Sequence, residues 1–145
     1  MPAIGESGVE FTMVAREWRA KYAMDADGTP AKSAALAAAQ KLFEEYKATL
    51  KALPGAEVTR IVCGGCGDFK VIVNQPCADH DAWKAYACRG LNPGVALPIP
   101  LLTSPAFKPC LDRKEYAPEA EFLEKLKAIE GINRVETQEF TMEKF

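Results

Sequence analysis

From Val9 to Tyr22 (VEFTMVAREWRAKY) apolar Val9, Phe11 and Met13 alternate with Glu10 and Thr12, and then Val14, Arg16 and Trp18 share a side. Side chains of a strand point to alternate faces, so this predicts a first strand with a bulge near Ala15. Asp25, Asp27, Gly28 and Pro30 form a turn cluster and leave Ser33 placed as a helix N-cap. From Ala34 to Leu53, Leu36, Ala39, Leu42, Phe43, Tyr46 and Leu50 recur at helical spacing, and Pro54 and Gly55 stop the helix. Val58 to Cys63 and Phe69 to Val73 alternate around a glycine turn, which predicts a hairpin of strands two and three. A short helix is expected over Asp81 to Arg89, beginning from Asp79. Proline-rich sequence follows to Tyr116. Pro118 then opens a helix with Phe122, Leu123, Leu126 and Ile129 on one face, Gly131 ends it, and Ile132 to Met142 reads as strand four.

Strand, helix, strand, strand, helix, strand is the split βαβ pattern. The expectation is one α+β domain over residues 1–145 of ferredoxin-like type, with an antiparallel sheet, two long helices on one face and a flexible N-terminus over 1–8. Between strand three and the last helix lies a proline-rich insertion, 90–117, holding Pro93, Pro98, Pro100, Pro105 and Pro109. With the helices on one face, Val14, Trp18, Val58, Val62 and the Phe69 or Ile72 set look too apolar for a bare second face, which predicts a homodimer.

Composition changes this picture little. Hydrophobic residues at 48%, charged residues at 26% and a net charge of −2 are those of an ordinary globular chain, with no electrostatic reason to expect nucleic acid or an anionic membrane. Met1 to Gly8 has no basic segment leading into an apolar run and no stretch is long enough to span a bilayer, so a cytoplasmic protein is expected. Five cysteines, an odd number, fit reduced thiols better than a disulfide framework.

The segments AREWRAKY, LKALPGAEVTRIVCGGCGDFKVIV and LKAIEGINRVETQEFTM resemble the dimeric α+β barrel superfamily. That group includes antibiotic-biosynthesis monooxygenase-like, EthD-like and stress-responsive barrel proteins and the ligand-binding domains of Lrp/AsnC regulators. The resemblance covers Val9 to Val73 and Pro118 to Met142 and is one of pattern. It implies a ligand pocket between sheet and helices, roofed by the insertion as a lid.

Several residues offer chemistry. His80, the only histidine, stands between Asp79 and Asp81, as a general base with its tautomer fixed by a carboxylate or as a solvated neighbour of a capping residue. Arg16 shares the side of Val14 and Trp18 and Arg60 that of Val58 and Val62; if those sides coincide, both would enter a barrel and hold a substrate anion, and the competing reading pairs them, with Arg134, to Glu17, Glu57 or Glu136. Trp18, Tyr22, Trp83, Tyr86 and Phe107 would line an aromatic pocket or simply pack the core. Cys63 and Cys66 in CGGC suit a zinc or copper clip or a redox pair, with Cys77, His80, Cys88 or Cys110 completing a metal site, or they pack as small apolar residues beside a glycine turn. Asp68 would serve the hairpin.

Three function classes follow. The first is a small-molecule enzyme without a cofactor, an oxygenase, cyclase or isomerase on an aromatic or polyketide-like compound, with His80 as base. It predicts a buried His80. The second is a non-catalytic metal- or ligand-binding protein, with His80 at the surface. The third is a structural dimer docking a partner through the apolar stretch ALPIPLL of the insertion.

Overall fold

The computed structural model describes residues 2–85 and 116–145. The elements in chain order are β1 (Met13–Tyr22), α1 (Ala34–Lys51), β2 (Glu57–Cys63), β3 (Asp68–Pro76), α2 (Cys77–Ala85), α3 (Glu119–Lys127) and β4 (Ile132–Thr141). The strands form one antiparallel sheet in the order β2-β3-β1-β4. The chain is therefore α+β, with a four-stranded open sheet. Among the described residues no helix is long and apolar enough to cross a membrane.

Local chemistry explains the boundaries. Ser33 caps α1, its side chain accepting from the Leu36 amide at 3.1 Å while its hydroxyl donates to the Ala23 carbonyl. The turn after α1 needs Gly55 (φ +63°), because a side chain there would meet Pro76 and Asp79 at 2.8 Å. That close approach seats the start of α2, which begins directly after β3. The helix expected over Asp81–Arg89 thus starts earlier, with Asp79 in its first turn.

The core lies between the sheet and the helices. Trp18, Ala20 and Tyr22 of β1 and Phe69, Val71 and Val73 of β3 pack against Leu42, Phe43, Tyr46 and Leu50 of α1 and Phe122 and Leu126 of α3. Full burial of a side chain such as Phe122 stabilises by about 2–3 kcal/mol. Trp18 stacks on Phe122 with ring centroids 4.9 Å apart, and Tyr46 meets Phe122 edge-on at 5.5 Å.

Three sequence expectations change. β1 starts at Met13, because Val9–Thr12 belongs to an N-terminal arm bridged between Ala3 and Glu10 and tied down by Glu143, whose carboxylate accepts from the Thr12 and Met13 amides. The irregularity is not near Ala15: Arg19 pairs with Glu136 and Lys21 with Asn133, so β4 carries the extra residue, at Arg134 (φ +49°). Trp18 and Phe69, offered as an exposed apolar side, are buried in the core, and Val58 packs against it. The opposite face carries the pairs Arg19–Glu136, Lys21–Asp68 and Lys70–Glu17. At one end of that face the C-terminal segment crosses towards β2: Asn74 Nδ2 donates to the Met142 carbonyl, and Lys144 reaches Glu57 at 2.9 Å. Of the apolar set that predicted a dimer, Trp18 and Phe69 therefore belong to the core and Val58 to its edge, while Val62 stays 37% exposed.

Candidate functional site

The strongest concentration of chemistry sits where α2, the start of α3, β1 and β4 meet. On α2, His80, Trp83 and Lys84 share a face because residues three and four apart on a helix are neighbours. Trp83 fixes that face by donating its indole N–H to the Ala117 carbonyl at 2.8 Å. His80 is 0% exposed, so the solvated alternative does not hold. Its Nε2 lies 3.4 Å from Glu139 Oε1 and 3.3 Å from the Tyr116 hydroxyl, while Nδ1 is buried without a hydrogen-bond partner among the described residues. The arrangement that satisfies most groups places the proton on Nε2, donated towards Glu139, and leaves Nδ1 as a bare lone pair.

Glu139 projects from β4 opposite Arg16 of β1. It accepts the Tyr116 hydroxyl proton at 2.7 Å and lies 3.4 Å from Lys84 Nζ. Burial pushes its carboxyl pKa up, but the Tyr116 hydrogen bond and the Lys84 charge more than offset this and leave it below the ordinary value. Burial pushes the His80 imidazole below its ordinary value, with Glu139 pulling the other way. At neutral pH the unit is an ionised carboxylate backed by a neutral imidazole and a phenol.

A second layer holds this unit in place. Arg16 donates to both oxygens of Glu119, from Nε at 2.8 Å and from a terminal nitrogen at 3.0 Å, and Trp18 Nε1 adds a bond to the same carboxylate at 2.7 Å. The Glu119 hydrogen bond holds the Arg16 guanidinium above its already high ordinary pKa. Arg16 also covers the Tyr116 ring, its central carbon 4.2 Å from the centroid. Trp83 meets the Tyr116 ring edge-on, with centroids 5.0 Å apart.

Glu139 also faces a cavity. With Ile4, Phe11, Val14, Phe140 and Thr141 it lines an open hollow of about 480 Å³, in the size range of small-molecule sites. Its side chain is 35% exposed, so Glu139 is open to solvent on one side while its carboxylate contacts the buried His80 on the other.

The structure places the residues singled out from sequence in different regions. His80 and Arg16 fall in this cluster, with Trp18 and Trp83 as buried walls. Arg60 lies on β2, across the sheet from β4, and donates to Gln40 on α1. Tyr22 is core, and its hydroxyl donates to the Cys63 carbonyl at 2.8 Å. Arg19, not Arg16, takes Glu136. Tyr86, Phe107, Cys88, Cys110 and the lid assigned to 90–117 lie outside the described residues, apart from Tyr116 and Ala117. Cys63 and Cys66 form a disulfide where free thiols were expected, so in this state they offer no thiolates to zinc or copper. Among the described residues no group of His, Cys, Asp and Glu is arranged to hold a metal ion. The residues that sequence reasoning missed are Tyr116, Glu119 and Glu139; only the alternation of β4, which sets Glu139 on one side with Thr137 and Thr141, hinted at one of them.

No protein-family model, curated protein or solved structure matches this chain.

Proposed function

We propose that the protein binds a small, predominantly apolar molecule in the cavity in front of Glu139, and that Glu139 abstracts a proton from it in an isomerase- or cyclase-type reaction. The observation that carries this reading is that one residue, Glu139, lines the cavity while its carboxylate contacts both His80 and Tyr116. An occupant would displace water from Glu139 and raise its pKa towards the value a general base needs near neutrality. Tyr116 and His80 keep its orientation fixed, Lys84 balances its charge, and the Arg16–Glu119 pair holds the Tyr116 ring. In this reading His80 is a positioning residue and the base is Glu139. The wider frame is a ferredoxin-like arrangement, supported by the strand order β2-β3-β1-β4. A homodimer in that frame would use the ion-paired face, so its dissociation should increase with salt.

The test is a ligand-observed NMR screen of small ketones and phenols, followed by hydrogen–deuterium exchange of each binder's acidic carbon in D₂O. The expected result is exchange accelerated by the protein and slowed about 100-fold or more in Glu139→Gln, with binding retained. Binding with equal exchange in both proteins would leave a binding protein without turnover, and no binder at the cavity would refute the reading.

A further inference from the structure

The far end of the sheet carries a separate piece of chemistry. The turn between β2 and β3 is closed by the Cys63–Cys66 disulfide, and its two sulfurs are not equivalent. Cys66 is exposed and Cys63 is half-buried. The Cys66 amide donates to Cys63 Sγ at 3.1 Å, which stabilises negative charge on Cys63 and makes it the better leaving sulfur. Beyond Gly65 the space is open, with no atom outside its chain neighbours within 4 Å of where a side chain would begin. Access and leaving-group stability therefore agree on Cys66 as the sulfur to be attacked.

Beside the turn is a small polar cavity of about 140 Å³ lined by Arg19, Lys21, Arg134, Asp68, Glu136 and Ala20. It adjoins the disulfide through Lys21, which donates to the Cys66 carbonyl at 3.0 Å, and through Asp68, whose carboxylate lies 3.3 Å from Cys66 Sγ. Glu136 is taken by Arg19 and Asp68 by Lys21, which leaves Arg134 without a carboxylate partner among the described residues. Its cation stands at the extra residue of β4, on the cavity wall.

The geometry points to a thiol–disulfide exchange site that takes electrons from an acidic low-molecular-weight thiol, docked by its carboxylate on Arg134. The incoming thiolate attacks Cys66 Sγ, the Cys63–Cys66 bond breaks, and the electron pair leaves on Cys63 as a thiolate held by the Cys66 amide. A second thiolate attacks the mixed disulfide at the sulfur of the bound thiol and releases Cys66. In sum, two thiols become one small disulfide, and the protein disulfide becomes two thiols after uptake of the two protons. This site is independent of the Glu139 cavity, which lies at the opposite end of β4.

The experiment uses the full chain purified without reductant, with glutathione as the acidic thiol and cysteamine as a cationic one, and follows intact mass and peptide maps. The expected result is a mixed disulfide on Cys66, with the glutathione-to-cysteamine rate ratio above that of a free CGGC peptide disulfide. Arg134→Asn, chosen because asparagine tolerates a positive φ, should lower that ratio about threefold or more, as should high salt. A map lacking the Cys63–Cys66 link, an adduct on Cys63, or a ratio unmoved by Arg134→Asn would overturn the proposal.

Discussion

Arg16 and Arg19 stand three residues apart on β1, on opposite faces of the sheet, and each holds a glutamate. The Arg16–Glu119 pair is 15% exposed on both sides and shares its carboxylate with a buried indole; the Arg19–Glu136 pair is 38% and 51% exposed and faces water. The chemistry is the same and the environments differ. An exposed pair is screened and gives back in side-chain entropy most of what it gains. A largely buried pair cannot lose one member without leaving the other charged and poorly solvated. The first pair can therefore act as a structural support for Tyr116, and the second as a replaceable part of a polar face.

This contrast is open to direct attack. Glu119→Ala strands the Arg16 guanidinium and the Trp18 indole N–H, and should cost about 2–4 kcal/mol in urea unfolding. Glu119→Gln keeps an acceptor for Trp18 and should cost less. Next in size is a pH effect from His80. The folded pKa of His80 is depressed, so the unfolded chain takes up a proton that the folded one refuses. Its stabilisation is complete above the ordinary value of 6.5 and is lost as pH falls from there through the folded pKa. The slope should reach at most about 1.4 kcal/mol per pH unit, and His80→Gln should flatten it between pH 8 and 5 in thermal melts. Tyr116→Phe removes the hydrogen bond to Glu139; we expect about 1 kcal/mol of destabilisation and a rise of the Glu139 pKa, read by carboxyl ¹³C NMR. Smallest is Arg19→Ala, expected to melt with wild type at moderate salt. A large loss there would erase the distinction between the two pairs.

The sequence carried the elements well, because periodicity is local. Leu42, Phe43, Tyr46 and Leu50 marked α1, and the alternation on either side of the glycine turn marked the β2–β3 hairpin. It could not say which side of β1 the helices cover, so alternation alone leaves open whether Trp18, with the Phe69 or the Ile72 set, faces a bare side, and the structure puts Trp18 and Phe69 in the core. The site was legible only where a residue is unusual in itself, as the single histidine is. Glu119 and Glu139 look like ordinary surface glutamates; what distinguishes them is contact with Arg16, 103 residues from Glu119, and with His80, on a different element. Partners at that separation leave no local pattern. The CGGC spacing did point to paired sulfurs, but their inequality comes from one amide direction that only the folded turn defines.

The account rests on a neutral imidazole held behind an ionised carboxylate, and the single histidine makes that claim accessible to one experiment. A long-range ¹H–¹⁵N correlation spectrum recorded across pH reports the tautomer and pKa of His80 without assignment ambiguity. At pH 7 the ring should be neutral and protonated on Nε2, with a pKa below its ordinary value that falls further in Glu139→Ala. Because Glu139 is the neighbour that favours the charged ring, the fall is the expected direction. An imidazolium at pH 7, or a pKa that rises or stays fixed in Glu139→Ala, would contradict it.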